Sequence, residues 1–323
     1  MQTSTKMTGA VMKYIEDFKE DEKIVGHYLC KQKQTQKTKS GKNYLSLKLQ
    51  DKTGMIDAKV WELNNDIHSF EEKDVIKIDG LVLLYQNSLQ LKVSKIRKST
   101  EGEYVQEDYI PTTDKNVDSL VTNIQELIDS VRDASLNQLL RKIFLEDDVM
   151  QAAIKVHSAA KTIHHAYMGG LIEHIVAVTG ICDFLSTKYK FINRDLLITG
   201  ALLHDIGKLY ELSPFPDNDY TDEGELLGHI VIGVEMITHY AKDIEGFSEE
   251  TLNLLKHLIV SHHGELEFGS PQRPKTIEAM VLHTADSADS KIKMFEEKLA
   301  KSDAKAKWVG YHNLLQRNMR RTN

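Results

Sequence analysis

The hydrophobic period of this chain changes once, near residue 100, and that change limits the fold more than any other feature. Over residues 24–96 apolar and polar residues alternate, the period of half-buried strands. From Val117 onward apolar residues recur every three to four positions, the period of helices with one buried stripe. Residues 99–116 between them are polar, carry Gly102 and Pro111 and hold no period, so they are predicted to be a linker. At 323 residues each part can bury a core of its own. The expected architecture is multidomain: an all-β unit over 21–98, then an all-α helical bundle over 117–297. A short leading helix is expected within 1–20 and a basic tail over 298–323.

In the β unit, Tyr44-Leu45-Ser46-Leu47-Lys48-Leu49-Gln50 alternates strictly, which places Leu45, Leu47 and Leu49 on a buried face and the others outside. Asp51-Lys52-Thr53-Gly54 is turn chemistry, and the next strand has Ile56, Ala58 and Val60 inward, with Asp57, Lys59 and Trp61 outward. Residues 24–31, 75–84 and 88–96 supply three more strands, and 64–70 reads as a short helix or loop. Five short strands with a helical connection between the third and fourth is the order of an OB-fold barrel, whose second and third strands commonly bind oligonucleotides. With the run Leu49-Gln50-Asp51-Lys52-Thr53-Gly54, the segment resembles the OB modules of nucleic-acid enzymes. On that reading Tyr44 and Trp61 offer stacking surfaces, while Lys48, Lys59, Lys37 and Lys39 draw in phosphates. Trp61 can also be read as closing the barrel or packing on the next domain.

The formal charge of −7 would argue against nucleic acid if it were spread evenly. It is not: Lys31, Lys33, Lys37, Lys39 and Lys42 fall within twelve residues, and 298–323 holds seven Lys/Arg against one Asp. That leaves about −18 on the rest of the chain, a segregation that lets an acidic protein grip a polyanion at defined places. Solvated lysines in a mobile loop and tail are the alternative. No apolar run approaches the roughly 18–20 residues needed to span a membrane, and residues 1–20 lack the apolar core of a signal peptide. The chain is therefore expected in the cytoplasm, with no membrane partner. Cys30 and Cys182, far apart, make neither a disulfide framework nor a Cys-rich zinc site.

Helical periods are predicted over 120–131, 135–144, 147–157, 171–189, 195–209, 225–241, 248–261 and 276–299, with Asn193 and Ser248 as start signals. The helix over 195–209 would deliver His204 and Asp205 side by side, with Lys208 one turn beyond. A neutral imidazole donates nitrogen and a carboxylate can bridge two ions, so the pair suits a divalent metal. Eleven of the fourteen histidines lie between His157 and His283 and have to be sorted. His174 follows Gly169-Gly170, His229 follows Gly228, and His262-His263 precede Gly264. Asp286 falls in an otherwise apolar segment, where a carboxylate is costly unless paired or bound to metal. A set of nitrogen and carboxylate donors without thiolate favours manganese, iron, cobalt or zinc over magnesium or calcium. Residues 211–225, rich in Pro, Asp and Gly, read as a lid or a disordered excursion.

The motifs Gly169-Gly170-Leu171-Ile172-Glu173-His174, His204-Asp205-Ile206-Gly207-Lys208, Gly228-His229-Ile230, Ser261-His262-His263-Gly264 and His283-Thr284-Ala285-Asp286 follow in order over about 115 residues. They closely resemble the HD-domain metal-dependent phosphohydrolases. With an OB module in front, the whole chain resembles the YhaM family of bacterial 3′→5′ exoribonucleases. The resemblance implies that His174, His204, Asp205 and Asp286 form the basic metal site. His229, His262 and His263 are then the additions seen where two metals are held, and Mn2+ is the implied ion. Asp205 would bridge the ions and act in catalysis with Lys208, which would neutralise a nonbridging phosphate oxygen unless it is only an exposed helix lysine. The substrate implied is single-stranded RNA, with single-stranded DNA open. His157, His164, His165, His239, His257 and His283 read as structural or surface histidines, with substrate contact by His164 or His165 undecided.

Three functions are compatible with the residues. The first is an exoribonuclease in which the OB domain captures a strand and the HD site cleaves it. The second is an HD phosphohydrolase of nucleotides or cyclic dinucleotides, and the third is a nucleic-acid-binding factor with a structural HD domain. An intact ligand set argues against the third. Whether the basic tail, with Trp308 and Tyr311, binds substrate or a second subunit of a homo-oligomer is left open by the sequence.

Overall fold

The computed structural model describes residues 12–86, 88–105, 108–161, 165–300 and 302–322. The chain divides into two compact units, Met1–Thr112 and Thr113–Asn323.

In the first unit β1 (Lys23–Lys37), β2 (Asn43–Asp51), β3 (Gly54–Val60), β4 (Val75–Tyr85) and β5 (Ser88–Lys98) close into a barrel in the order β1-β2-β3-β5-β4. β3 and β5 run parallel and the other neighbours antiparallel. The alternation of β2 and β3 is realised in register: Leu45 faces Val60, Leu47 faces Ala58, Leu49 faces Ile56, and all six are buried. Each large apolar side chain so enclosed contributes about 1.5–3 kcal/mol. The β2–β3 turn is held by Asp51, whose Oδ1 accepts from Thr53 N at 2.8 Å and Thr53 Oγ1 at 2.6 Å.

Four local expectations are corrected in this unit. The basic stretch 31–42 is a loop only from residue 38, because β1 continues to Lys37 and pairs Gln36 with Tyr44 and Lys37 with Asn43. The segment between β3 and β4 forms no helix: His68 N donates to Ile96 O at 2.9 Å and Ile96 N to Asp66 O at 3.0 Å, so its backbone groups pair with β5. Within the leading segment the described residues form a single 3-10 turn, Ile15–Asp17, tied down by Ile15 N on Asp51 Oδ2 at 2.7 Å; residues 8–11 of the expected helix lie outside the described residues. Gln50, read as outward, is buried and donates to Tyr109 O at 3.1 Å, so part of the expected linker packs against the barrel.

The second unit holds α1 (Val117–Ser130), α2 (Ala134–Arg141), α3 (Asp148–Val156), α4 (Gly170–Ser186), α5 (Arg194–Leu203), α6 (Lys208–Glu211), α7 (Asp222–Lys242), α8 (Glu249–Ser261) and α9 (Ile277–Ala300). One apolar core runs through them, and Asn193 and Ser248 cap α5 and α8 as their side-chain chemistry predicts. The predicted helix over 195–209 is in fact interrupted. α5 stops at Leu203 and residues 204–207 turn through i+3 bonds, Ile206 N to Leu203 O at 3.2 Å and Lys208 N to Asp205 O at 3.0 Å. Close packing requires a glycine in this turn, since a Cβ at Gly207 would lie 2.0 Å from His229 O. Residues 212–220 are pinned by a Leu212–Tyr220 bridge and by Ser213 N on Asp219 O at 2.7 Å, so this stretch is not unstructured. Beyond α9 the region expected to be a tail forms an antiparallel ribbon, β6 (Trp308–His312) and β7 (Arg317–Arg320).

Candidate metal centre

The ordered motifs meet at one point in the helical unit. His174 projects from α4, His204 ends α5, and Asp205 occupies the turn before α6. His229 follows the kink at Gly228 in α7, where φ is +71°. His262 and His263 follow α8, and Asp286 lies on α9. Donor atoms of His174, His204 and Asp286 fall within 4.8 Å of one another, and so do those of His229, His262 and His263.

Asp205 lies between these two groups. Its Oδ2 is 3.4 Å from His174 Nε2 and 3.5 Å from His204 Nε2. Its Oδ1 is 3.5 Å from His229 Nε2 and 3.6 Å from His262 Nε2. Asp205 Oδ1, His229 Nε2 and His262 Nε2 are buried without a hydrogen-bond partner among the described residues. A buried polar atom left unpaired costs about 1–3 kcal/mol, so three converging ones fit a cation.

The outer ring nitrogens explain why the Nε2 atoms converge. His174 Nδ1 donates to Asp289 Oδ2 at 2.8 Å, His229 Nδ1 to Glu211 Oε1 at 2.9 Å and His204 Nδ1 to Ala201 O at 2.8 Å. His262 Nδ1 donates to Ile259 O at 2.7 Å and His263 Nδ1 to Phe268 O at 3.0 Å. With the proton held outside, the His204, His229, His262 and His263 rings turn an Nε2 lone pair inward, which is how proteins orient imidazole ligands. Burial pushes the His204, His262 and His263 rings down, toward the neutral form a metal requires. Burial opposes the charge on Asp205, but Lys208, His204 and His174 outweigh it and hold the carboxyl well below the usual range. Burial likewise opposes a proton on His174, yet Asp205, Asp286 and Asp289 around it raise its pKa.

Lys208 is mostly buried, its side chain 15% exposed, so it is not an exposed helix lysine. Its Nζ lies 3.0 Å from Asp205 Oδ2 and donates to Ala159 O at 2.7 Å, which commits two of its three protons. Asp289 and Glu211 escaped the sequence reading. Asp289 follows Asp286 by three residues on α9, a spacing that places both on one helix face, and that was the available signal. Glu211 carried none. His165 is buried behind His174, with Nε2 3.1 Å from Asp289 Oδ2, so it has no surface to offer a substrate; His164 lies outside the described residues. His157 is buried against Leu212 O at 3.1 Å, and His283 Nδ1 donates to His262 O at 2.9 Å. Glu173, beside His174, is buried with Lys293 Nζ at 2.8 Å.

On the barrel, Tyr44 of β2 and Trp61, the residue after β3, lie together, ring centroids 4.5 Å apart and stacked. Trp61 is 40% exposed and is therefore no barrel-core residue. Lys59 Nζ stands 5.8 Å from the Tyr44 ring centroid and donates to Ser46 Oγ at 2.5 Å, while Lys48 lies opposite Asp57 in the strand register. Lys37 and Lys39 are exposed on the β1–β2 hairpin, with no carboxylate among the described residues within ion-pairing distance.

The HD domain family model matches residues 171–291, and that of the OB-fold nucleic acid binding domain matches 31–98. Among the described residues no helix is long and apolar enough to cross a membrane. The 3′-5′ exoribonuclease YhaM of Geobacillus sp. (strain WCH70) is 36% identical over 264 residues, 81% of this chain and 80% of that protein. The 3′-5′ exoribonuclease YhaM of Shouchella clausii (strain KSM-K16) is 37% identical over 280 residues, 86% of each. With both domains matched in order and this identity sustained over most of its length, the chain belongs to the YhaM family.

Proposed function

We propose that this chain is a metal-dependent 3′→5′ exoribonuclease acting on single-stranded RNA, with two divalent ions held around Asp205. The observation that carries the reading is the division of Asp205: one oxygen faces His174 and His204, the other His229 and His262. On this reading His174, His204 and Asp286 complete one ion's ligands and His229, His262 and His263 the other's. The donor set of imidazole and carboxylate accommodates manganese, iron, cobalt or zinc, and manganese is the ion that the family resemblance implies. Such ions supply a water acidic enough to attack a phosphodiester and positive charge opposite its nonbridging oxygens. The chain's own part is positional. Asp289, Glu211 and three backbone carbonyls fix the rings, and Lys208 holds Asp205 while keeping one proton for a phosphate oxygen. The polarity of attack follows the named relatives. Tyr44, Trp61, Lys48, Lys59, Lys37 and Lys39 form the face on which the barrel takes the strand, and single-stranded DNA fits the same face.

The test is incubation of the purified protein with 3′- and 5′-labelled single-stranded RNA, single-stranded DNA and a cyclic dinucleotide across several divalent metals. A ladder shortening from the 3′ end of RNA, strongest with manganese, is expected. Hydrolysis confined to the cyclic dinucleotide would refute the reading.

A further inference from the structure

The C-terminal ribbon displays a surface that neither the metal centre nor the barrel accounts for. Directly opposed residues of an antiparallel pair share a face. The register opposes Trp308 to Arg320, Gly310 to Met319 and Tyr311 to Asn318, with an irregularity between Trp308 and Gly310. That irregularity lets Trp308 and Tyr311, three residues apart, project on the same side. One face of the ribbon therefore carries Trp308, Tyr311, Asn318 and Arg320, and all four are exposed, the two aromatics at 63% and 54%. The opposite face carries Met319, which is buried at 1% exposure, as is Leu315 in the connecting turn at 7%. Arg321 secures the base, its Nη2 donating to Ser302 O at 3.1 Å and to Leu299 O at the end of α9.

A two-stranded ribbon has little reason to display two large aromatic rings to water unless something covers them. Charge selects the occupant. Residues 298–323 hold seven Lys/Arg and one Asp on a chain whose net charge is −7. Among the described residues no carboxylate lies within ion-pairing distance of Lys307, Arg317 or Arg320, whereas other cations such as Lys23, Lys52 and Arg97 are paired. Two copies meeting through this face would oppose like charges. A single nucleic-acid strand instead brings phosphates for the arginines and free base faces for the rings, a combination that a duplex, with its bases already stacked, cannot offer.

We infer that the ribbon β6–β7 is a second binding surface for single-stranded RNA, carried on the catalytic unit and built on Trp308, Tyr311 and Arg320. It rests on the reading of RNA as substrate and adds a binding site that reading does not contain.

The test uses the full chain stripped of metal with chelator, so that a fluorescein-labelled oligouridylate is bound and not cut. Trp308→Ala with Tyr311→Ala is expected to weaken binding by roughly fivefold or more, with Trp308→Phe and Tyr311→Phe restoring most of it. Arg320→Gln is expected to reduce the slope of log affinity against log salt by about 0.7. Mass by light scattering, and hydrolysis of a dinucleotide by the metal-loaded variants, should match the parent chain. Unchanged affinity and salt slope would overturn the inference. So would a loss of affinity that appears only together with a fall in mass, which would make the ribbon an interface between copies. A parent chain that binds the strand but hydrolyses none of it would refute the exoribonuclease reading alone, because binding is measured without metal.

Discussion

Removing the Asp205 carboxylate should separate two consequences that the geometry ties together. Asp205→Ala deletes the one group that faces both histidine sets, so hydrolysis should disappear and bound metal should fall. It also leaves the Lys208 ammonium, 15% exposed and formerly 3.0 Å from Asp205 Oδ2, without its anion. Breaking a buried pair from one side costs about 3–5 kcal/mol, chiefly through the charge left behind. For a unit of this size about 1 kcal/mol moves the melting temperature by roughly 2–4 °C, so the metal-free variant should melt about 6–20 °C below the parent chain. Adding Lys208→Met removes the stranded charge and should recover most of that stability while leaving hydrolysis absent. Calorimetry in chelator, metal analysis and turnover of labelled RNA at saturating metal measure the three quantities. Parent-level turnover in Asp205→Ala would refute the bridging role, and a double variant no more stable than the single one would refute the ion-pair argument.

Asp289→Ala should lower metal affinity about 10- to 100-fold by releasing His174 Nδ1, with Asn at that position restoring part of it because its amide oxygen still accepts; a metal titration decides. Trp61→Ala should cost about 1–3 kcal/mol of binding to a long oligonucleotide and leave dinucleotide hydrolysis and the melting temperature unchanged, since Trp61 is exposed; equal losses on long and short substrates would refute strand capture by the barrel. Neutralising Lys37 and Lys39 should flatten the salt dependence of long-RNA binding, the slope falling by about 0.7 for each phosphate that a lysine no longer neutralises. Asp147, which accepts from Tyr240 Oη at 2.6 Å and from Met150 N and Val149 N at 3.0 Å each, should cost about 1 kcal/mol when changed to Ala. The Tyr240 and Met150 bonds hold its carboxyl below the ordinary value. Its contribution is thus present above the unfolded pKa of about 4 and fades as pH falls through the lower folded value, so the stability gap between parent and variant should close in acid urea titrations.

Much of the site was legible because the signals were local. His204 and Asp205 are adjacent, Asp286 interrupts an apolar stretch, His174 lies one turn past Gly170 at a helix start, and His229 and His263 adjoin glycines where helices kink or end. The strands were legible for the same reason: alternation in β2 and β3 is a property of seven consecutive residues. Asp289 and Glu211 were not, because a carboxylate that orients a histidine obeys no period and is defined only by the ring it meets, 115 residues away for Asp289 and 18 for Glu211.

Residue order alone specified a β unit followed by a helical one, the inward faces of β2 and β3, and the residue types for a metal site without thiolate. Those properties depend on neighbours within a turn or a strand, where backbone geometry dictates which side chains share a face. The folded arrangement was needed to show that the oxygens of Asp205 face different histidine pairs, that α5 breaks before α6, and that Lys208 is turned onto Asp205. It was needed equally to show that the segment after β3 pairs with β5 instead of coiling into a helix, and that the basic end of the chain forms a ribbon with its aromatics on one face. Each of these is settled by which distant backbone or side chain satisfies a polar group or excludes a Cβ, a competition that local propensity does not contain.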